Sequence, residues 1–335
     1  MSTISNEVFD EPFTAIELTN SINRLPHRAN SLDAQFTWEV TRSPTTHVRI
    51  NMSDGKVEVA PYVPRGGVPP VLHGTKRKAT LVEIPGIAGR ASAMNREALN
   101  VAAGLTGEAR LQSLELLRDG KNKEIAVALD EGEARQSAEA IKGLITDPQT
   151  GEEIVDLYGL QGRDQVEVDL DLTDSKRSLN DQIEEIKEIS EDALGGIKPT
   201  GFKLIMGDTP SRQIRASQGY KDLLTAGTVG HLATIMAAVD GRRDERINDN
   251  VTMVHYRKGY FASTDAFLVP VYDGHAQMVY GPHEADEFWG QVLPRYVTSE
   301  PMPHGKGVEM EGWAFVLRYF QHPEAILKLK VIGPK

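Results

Sequence analysis

The sequence predicts an α+β protein made of a long polar helix, an extended two-stranded arm and a mixed region of short strands and helices. First, Leu111, Leu114 and Leu117, then Ile125, Ala128, Leu129, Ala134, Ala138 and Ile141, recur at helical steps between Thr106 and Gly143. That is a narrow apolar stripe on a charged rod. Second, the period falls to two between Thr46 and Ile84, where Val48, Ile50 and Met52 alternate with His47, Arg49 and Asn51. Third, strand-like and helical runs intermingle after Asp174, the texture of an α+β domain.

Composition narrows the function classes. A chain of 335 residues can fill a large core or two domains. No run of about 18 apolar residues is present to span a membrane, and Met1–Glu7 lacks the basic and apolar regions of a signal peptide. The absence of cysteine excludes disulfides, thiolate zinc sites and cysteine nucleophiles, and points to a cytoplasmic setting. A net charge of -11 argues against general affinity for DNA or anionic lipid. It leaves open the enclosure of nucleic acid without gripping it.

In chain order, residues 1–35 read as an arm with apolar anchors at Phe9, Phe13, Ile16 and Ile22, and Pro26 ends any helix begun near Thr14. Anchors in a polar tail need a surface to pack on, unlike a frayed terminus. Ser53-Asp54-Gly55-Lys56 then turns the chain and Val57 and Val59 alternate back. Pro61 to Pro70 holds too many prolines for a sheet interior, and Lys76 to Ile84 is extended again. A lone strand pair is barely stable in water, so the arm requires a surface such as that of another subunit.

Arg65, Lys76, Arg77 and Lys78 make the arm basic, while the long helix carries Glu115, Asp119, Glu124, Asp130, Glu131, Glu133 and Glu139. Opposite charges on two protruding elements suit a match between subunits that sets register. Two separately solvated faces are the alternative.

Residues 87–106 form a connector with a short helix over Asn95–Ala103, ended by Gly104. The long helix follows. Gly120 is a point where it kinks, or before which it has not begun, and Gly143 stops it ahead of the turn Asp147-Pro148-Gln149-Thr150-Gly151. Ile154 to Leu172 is extended. Leu179, Ile183, Ile186, Ile189 and Leu194 make an amphipathic helix, capped by Asp174 or Ser175 and ended by Gly195-Gly196. Phe202–Met206 is a buried strand, Gly207-Asp208-Thr209-Pro210 opens a helix through Ile214 to Leu224, and Thr228–Val239 is another. Strands follow at Val251–Tyr256, Ala266–Tyr272, Gln277–Tyr280, Gly307–Phe320 and Ala325–Ile332, the last two pairing back toward the hairpin near Gly151.

Catalytic readings find little support. A hydrolase could use Thr209 at its helix start with His275 and Asp273, yet the Gly-x-Ser-x-Gly elbow is missing. Thr209-Pro210 is more simply a cap followed by a first helical residue. Asp273, His275, His283, Glu284 and Glu287 lack the two-His helical spacing of a zinc hydrolase and read as a solvated acidic loop. Arg65-Gly66-Gly67 is not a phosphate loop, and no aromatic-basic platform for nucleic acid is present. No catalytic residue, metal ligand or cofactor is expected.

The order of parts resembles the major capsid proteins of tailed bacteriophages, of the lambda capsid protein E type, whose fold is HK97-like. The local matches are Pro61–Gly67 in the arm, Ala138–Val155 at the end of the long helix, and Pro323-Glu324-Ala325 before the last strand. The resemblance implies an N-terminal arm over residues 1–40, an E-loop hairpin over 41–88, a spine helix and P-domain over 89–172, an A-domain over 173–290, and return strands to both over 291–335. It implies a structural protein, not an enzyme, that self-assembles into the hexamers and pentamers of an icosahedral phage head. The head would enclose double-stranded DNA without sequence-specific binding.

It further implies that each E-loop lies over a neighbour's spine and P-domain, with Arg65, Gly66, Gly67, Lys76, Arg77, Lys78, Glu124, Asp130 and Glu131 at intersubunit contacts. A separate scaffold protein, a portal and a decoration protein are the implied partners, since no scaffold-like domain precedes the arm. The implied location is the virion, after assembly in the host cytoplasm and without a membrane. An encapsulin-like shell, which shares the fold but encloses proteins, is the alternative, and covalent crosslinking is left open.

Overall fold

A computed structural model describes residues 13–27, 32–53, 77–106, 108–174, 177–226, 245–247, 250–256 and 259–333. Helix α1 (Ala15–Arg24) starts at Thr14, whose hydroxyl accepts from the Glu17 amide, and ends before Pro26. Phe13, Leu18 and Ile22 are buried, whereas Ile16, expected among the anchors, faces solvent. Two residues of helix turn Ile16 about 200° from Leu18.

Strand β1 (Trp38–Arg42) leads to the arm, in which β2 (His47–Ser53) pairs antiparallel with β3 (Arg77–Glu83). The register runs from His47 opposite Glu83 to Ser53 opposite Arg77. Phe9, the Asp54-Gly55 turn with Val57 and Val59, Arg65, Gly66, Gly67, Lys76 and the helix expected over Thr228–Val239 all lie outside the described residues.

Next comes β4 (Gly86–Met94), a strand where the sequence suggests only a connector, and then the expected short helix α2 (Asn95–Ala102). Helix α3 (Glu108–Lys142) runs unbroken for 35 residues, a length of about 52 Å. Gly120 therefore does not start it, and helical backbone continues through it. Gly143 does end it, with φ of +73°, and any side chain there would strike the Tyr158 ring.

The hairpin of β5 (Leu144–Thr146) and β6 (Glu153–Asp156) turns on Asp147, whose Oδ1 accepts from the Gln149 and Thr150 amides at 2.6 and 3.0 Å. A one-turn helix, α4 (Leu157–Gln161), interrupts the expected extended stretch because Asp156 caps it, and β7 (Glu167–Asp171) follows.

The rest alternates helix and strand. Helix α5 (Leu179–Leu194) is capped by Ser178 and not by Asp174 or Ser175, and Ile189 lies on its exposed side. After β8 (Gly201–Met206), extended backbone at Ser217 divides the expected single helix into α6 (Asp208–Ala216) and α7 (Gln218–Ala226). The cap of α6 is Gly207, not Thr209. The remaining strands are β9 (Glu245–Arg246), β10 (Val251–His255), β11 (Ala266–Val271), β12 (Ala276–Tyr280), β13 (Tyr296–Pro301), β14 (Gly307–Phe320) and β15 (Leu327–Ile332).

Two sheets organise these strands. In the five-stranded sheet β14 pairs antiparallel with β4, β12 and β13, and β1 lies parallel to β12. The six-stranded sheet has the order β7-β15-β11-β8-β10-β9. The long C-terminal strands thus return to β4 and β7, not to the β5–β6 hairpin, which forms a two-stranded sheet of its own.

Alternation along β8, β10 and β11 gives the six-stranded sheet two apolar faces. Phe202, Leu204, Met206, Met253 and Leu268 pack under α5, while Ile205, Val254, Phe267 and Val269 meet Ala138, Ala140 and Ile141 of α3. The front half of α3 covers the five-stranded sheet, with Ile125 and Leu129 against Met310 and Ala314 and against Leu18 and Ile22 of α1. The narrow stripe expected of α3 describes only this front half. From Glu133 onward nearly every residue is buried, because the helix passes between two sheets. Its approach is close: a Cβ on Gly312 would lie 2.1 Å from Ile125, and one on Gly132 would lie 2.5 Å from Ile87.

Nothing lies within 4 Å of a Cβ added at exposed Gly120. Gly120→Ala should therefore stabilise the chain by about 1 kcal/mol, whereas Gly143→Ala should destabilise it by about 1–3 kcal/mol through its left-handed backbone and the Tyr158 ring. Urea unfolding of the two variants checks both signs, and a destabilising Gly120→Ala would contradict an unbroken α3.

Candidate functional site

Passing a charged helix between two sheets raises the question of where its carboxylates go. Asp130 and Glu133, one turn apart on α3, are both buried, and a buried carboxylate must be paired and hydrogen-bonded to remain ionised. Two arginines from the returning chain meet them. Arg295, just before β13, donates from Nη2 to Glu133 Oε1 at 3.1 Å and also pairs with Asp130. Arg318, on β14, donates from Nη2 to Glu133 Oε2 at 2.7 Å and from Nη1 to Asp33 Oδ1 at 2.8 Å. Arg318 Nη1 also donates to the Ser137 hydroxyl and the Glu133 carbonyl, and the guanidinium faces the Trp38 ring 5.6 Å away.

The segment after α1 closes this cluster. Asp33 accepts from the Ser137 hydroxyl at 2.7 Å as well as from Arg318. His27 places Nδ1 2.7 Å from Asp130 Oδ1 and Nε2 3.9 Å from Asp33 Oδ2. The Asp33 carboxylate, then those of Glu133 and Asp130, hold the His27 pKa above its ordinary value against burial and Arg295. Burial alone would raise the Asp33 pKa, but His27, Arg318 and Ser137 together bring it below the usual range. Arg295 is likewise raised: burial opposes the charge, and Glu133 and Asp130 outweigh burial.

His27, Asp130 and Glu133 form the one grouping of three metal-type ligands within mutual reach among the described residues, their atoms lying within 4.8 Å of one another. The Arg295 guanidinium already bridges both carboxylates there. The two carboxylates are thus counter-ions of Arg295.

The residues expected at intersubunit contacts divide accordingly. Asp130, expected on an open face, is buried in its own chain because Arg295 and His27 claim it. Glu133 and Glu139 of the same helix are also inward, the latter held by Arg135 at 2.8 Å and by Thr146. Glu124 remains exposed, 3.7 Å from Lys121, and Glu131 is exposed and accepts from the Tyr260 hydroxyl. Arg77 and Lys78 fall at the far end of the β2–β3 register. The base of that arm is anchored, with Ile50, Val82 and Ile84 buried against Val155, Leu157, Val279 and Leu317. Leu81, between them, is 70% exposed, and Leu116 on α3 is 72% exposed.

The hydrolase constellation does not form. Burial depresses the His275 pKa to about 3, too weak a base for neutral pH. Its Nδ1 lies 2.9 Å from the Tyr272 hydroxyl and its ring packs on Phe320. Thr209 sits in the first turn of α6, its amide donating to the Ser263 carbonyl at 2.9 Å. His283 lies among the rings of Phe288, Tyr296 and Phe315, so the expected acidic loop contributes packing as well as solvated charge.

Comparison with known proteins then identifies the architecture. The model of a family described as phage major capsid protein E matches residues 14–331. Among solved structures, one similar protein is assigned as a capsid protein of a prophage in Escherichia coli CFT073, with 12% identity over 95% of this chain and 99% of that chain and a TM-score of 0.56. A phage-related protein from Bordetella bronchiseptica RB50 shares 12% identity over 95% and 97% of the two chains, with a TM-score of 0.52. The capsid of a native GTA particle shares 11% over 92% and 93%, with a TM-score of 0.52. No curated protein matches the sequence. At such identities the likeness is one of fold, and it bears out the expected α+β, HK97-like architecture.

Arg318→Leu should destabilise the chain by about 3–5 kcal/mol, since it strands Glu133 and Asp33 with one cation fewer. Adding Glu133→Leu to it should restore part of that loss. Chemical denaturation of the single and double variants measures the non-additivity, and strictly additive losses would contradict a shared network.

Proposed function

Because this chain belongs to the phage major capsid protein E family, we propose a specific form of assembly for a structural protein of a capsid shell. Copies form the hexamers and pentamers of an icosahedral head that encloses double-stranded DNA. Each β2–β3 arm lies over a neighbour's α3 and five-stranded sheet. The observation that carries this is the arm itself. Its base is buried in its own chain, while Leu81 beside it presents a large apolar side chain to solvent. A strand pair of this kind is stable only when it finds a second surface, and exposed Leu116 on α3 offers apolar area for one.

Charge supports the same arrangement. The arm carries Arg65, Lys76, Arg77 and Lys78 around Gly66 and Gly67, and the acids of α3 still exposed include Glu124 and Glu131. Asp130 drops out of the expected match because it is buried. The net charge of -11 fits a container that does not hold its DNA tightly. A scaffold protein, a portal and a decoration protein are the proposed partners, with assembly in the host cytoplasm. The family model favours this reading over a protein-enclosing compartment or a hydrolase.

Negative-stain microscopy of the purified full-length chain, alone and with a co-expressed scaffold protein, should show rings, tubes or shells; a stable monomer under every condition would overturn the reading. Within assembling material, Lys76→Glu with Arg77→Glu and Lys78→Glu should reduce the assembled fraction about tenfold or more. Reversing Glu124 and Glu131 to Lys should restore part of it. Unchanged assembly by the arm variant would refute the charge match while leaving the capsid reading intact.

A further inference from the structure

The buried cluster between α1, α3 and the returning strands contains an unbalanced charge count. Asp33, Asp130 and Glu133 supply three negative charges, and Arg295 and Arg318 supply two positive ones. The sixth ionisable group, His27, decides the balance. With its imidazole protonated the cluster is neutral; with it neutral, one negative charge is left in a largely buried site, where such a charge is costly.

The geometry says which proton matters. His27 Nδ1 faces Asp130 Oδ1 at 2.7 Å and Arg295 Nη2 at 3.0 Å. It cannot donate to the first and accept from the second at once, and the short distance to a carboxylate selects the donor form. The proton that leaves is then the one on Nε2, which faces Asp33 Oδ2 across 3.9 Å. That oxygen is buried and has no hydrogen-bond partner. Arg318 pairs with the other oxygen of the same carboxylate, and the Nε2 charge is the cation that faces this one. His27 is also the exposed member of the group, its side chain 41% accessible against 11% or less for the two arginines and three carboxylates. Tyr280, the other titratable side chain in the field of these charges, has its pKa raised by burial and stays neutral here.

We propose that His27 is a proton-operated latch, whose doubly protonated ring fastens the Leu32–Phe36 segment onto α3 and whose loss of the Nε2 proton loosens that segment. This segment holds the 3-10 turn at Asp33–Gln35 between the anchors Leu32 and Phe36, which pack against Ala138, Ile141 and Phe320. Helix α1 is fastened independently. Thr19 exchanges hydrogen bonds with the Val297 backbone, and Asn23 donates to the Arg295 carbonyl. The latch therefore acts on the Leu32–Phe36 segment and leaves the helix in place.

The sign follows from the raised pKa. The folded-state value lies above the unfolded one of about 6.5. The stabilisation is complete below about pH 6.5 and is lost as the pH rises through the folded-state value. Asp33 behaves oppositely, its contribution being lost only as the pH falls through a value below the usual carboxylate range.

Hydrogen–deuterium exchange of the full-length chain, corrected for the intrinsic pH dependence of exchange, tests this without reference to assembly. Between about pH 6 and pH 9, protection in peptides reporting on residues 32–36 should fall about tenfold or more, while peptides from α1 and β14 change little. His27→Gln should be poorly protected at both pH values, and Asp33→Asn, which removes the charge facing Nε2, should flatten the pH dependence with His27 still present. PH-independent protection in the unaltered chain would overturn the latch. So would an equal loss in β14, which signals global loosening, or an undiminished pH step in Asp33→Asn.

Discussion

The structure depends on pairing the Glu133 carboxylate inside the protein. Its carboxylate sits on a helix wedged between two sheets, 3% exposed, and holds one arginine with each oxygen. An isolated carboxylate there would be driven to take up a proton. The two cations come from chain more than 160 residues further on, so α3 and the returning strands share one ion network. That couples the two ends of the fold. A hydrophobic triad of similar volume could be at least as stable, but only directed bonds would fix α3 along and around its axis against β14. Register is the property that long, smooth elements most easily lose.

The same requirement shapes the surroundings. Gly312 and Gly132 remove side chains where α3 meets the five-stranded sheet, which lets the helix come close enough for the arginines to reach. Asp33 and Ser137 then fill donor and acceptor positions that Glu133 cannot. The result is a subunit whose two sheets share one helix as a common wall. Family membership gives this wall its context, a protein of a capsid shell.

Much of this was legible in the sequence where apolar periodicity and chain-breaking residues agreed. The end of α3 at Gly143, the hairpin turn at Asp147–Gly151, the extent of β14 and the buried run of β8 all follow that rule. Gly120 misled because helix propensity is a local quantity, whereas packing on both sides of that residue keeps the helix intact. β4 was missed for the opposite reason: Gly86, Ala88, Gly89, Ala91 and Ala93 carry no strand signal, and pairing with β14 alone makes them a strand. Asp130 was misplaced because a charged residue on a polar helix looks solvated whatever lies opposite. One sign of its partners was available. Arg318 interrupts the apolar run Val316-Leu317-Arg318-Tyr319-Phe320, and a lone cation there has to answer a buried anion. His27 carried no comparable sign, since nothing in its neighbourhood sets it apart from other exposed histidines.

The fastening of α1 also bears on how a copy of this chain can meet another. Ser21 bonds Asp119, Asn122 reaches the Leu18 carbonyl, and Thr19 ties to Val297, all over the buried side chains of Phe13, Leu18 and Ile22. Exchanging this helix between copies would gain nothing at equilibrium, because the same contacts form in either partner. It would first require an undocked state with those apolar groups in water, at about 1.5–3 kcal/mol for each fully buried side chain. The docked helix is thus held within its own chain, and exchange through α1 carries a barrier without a gain.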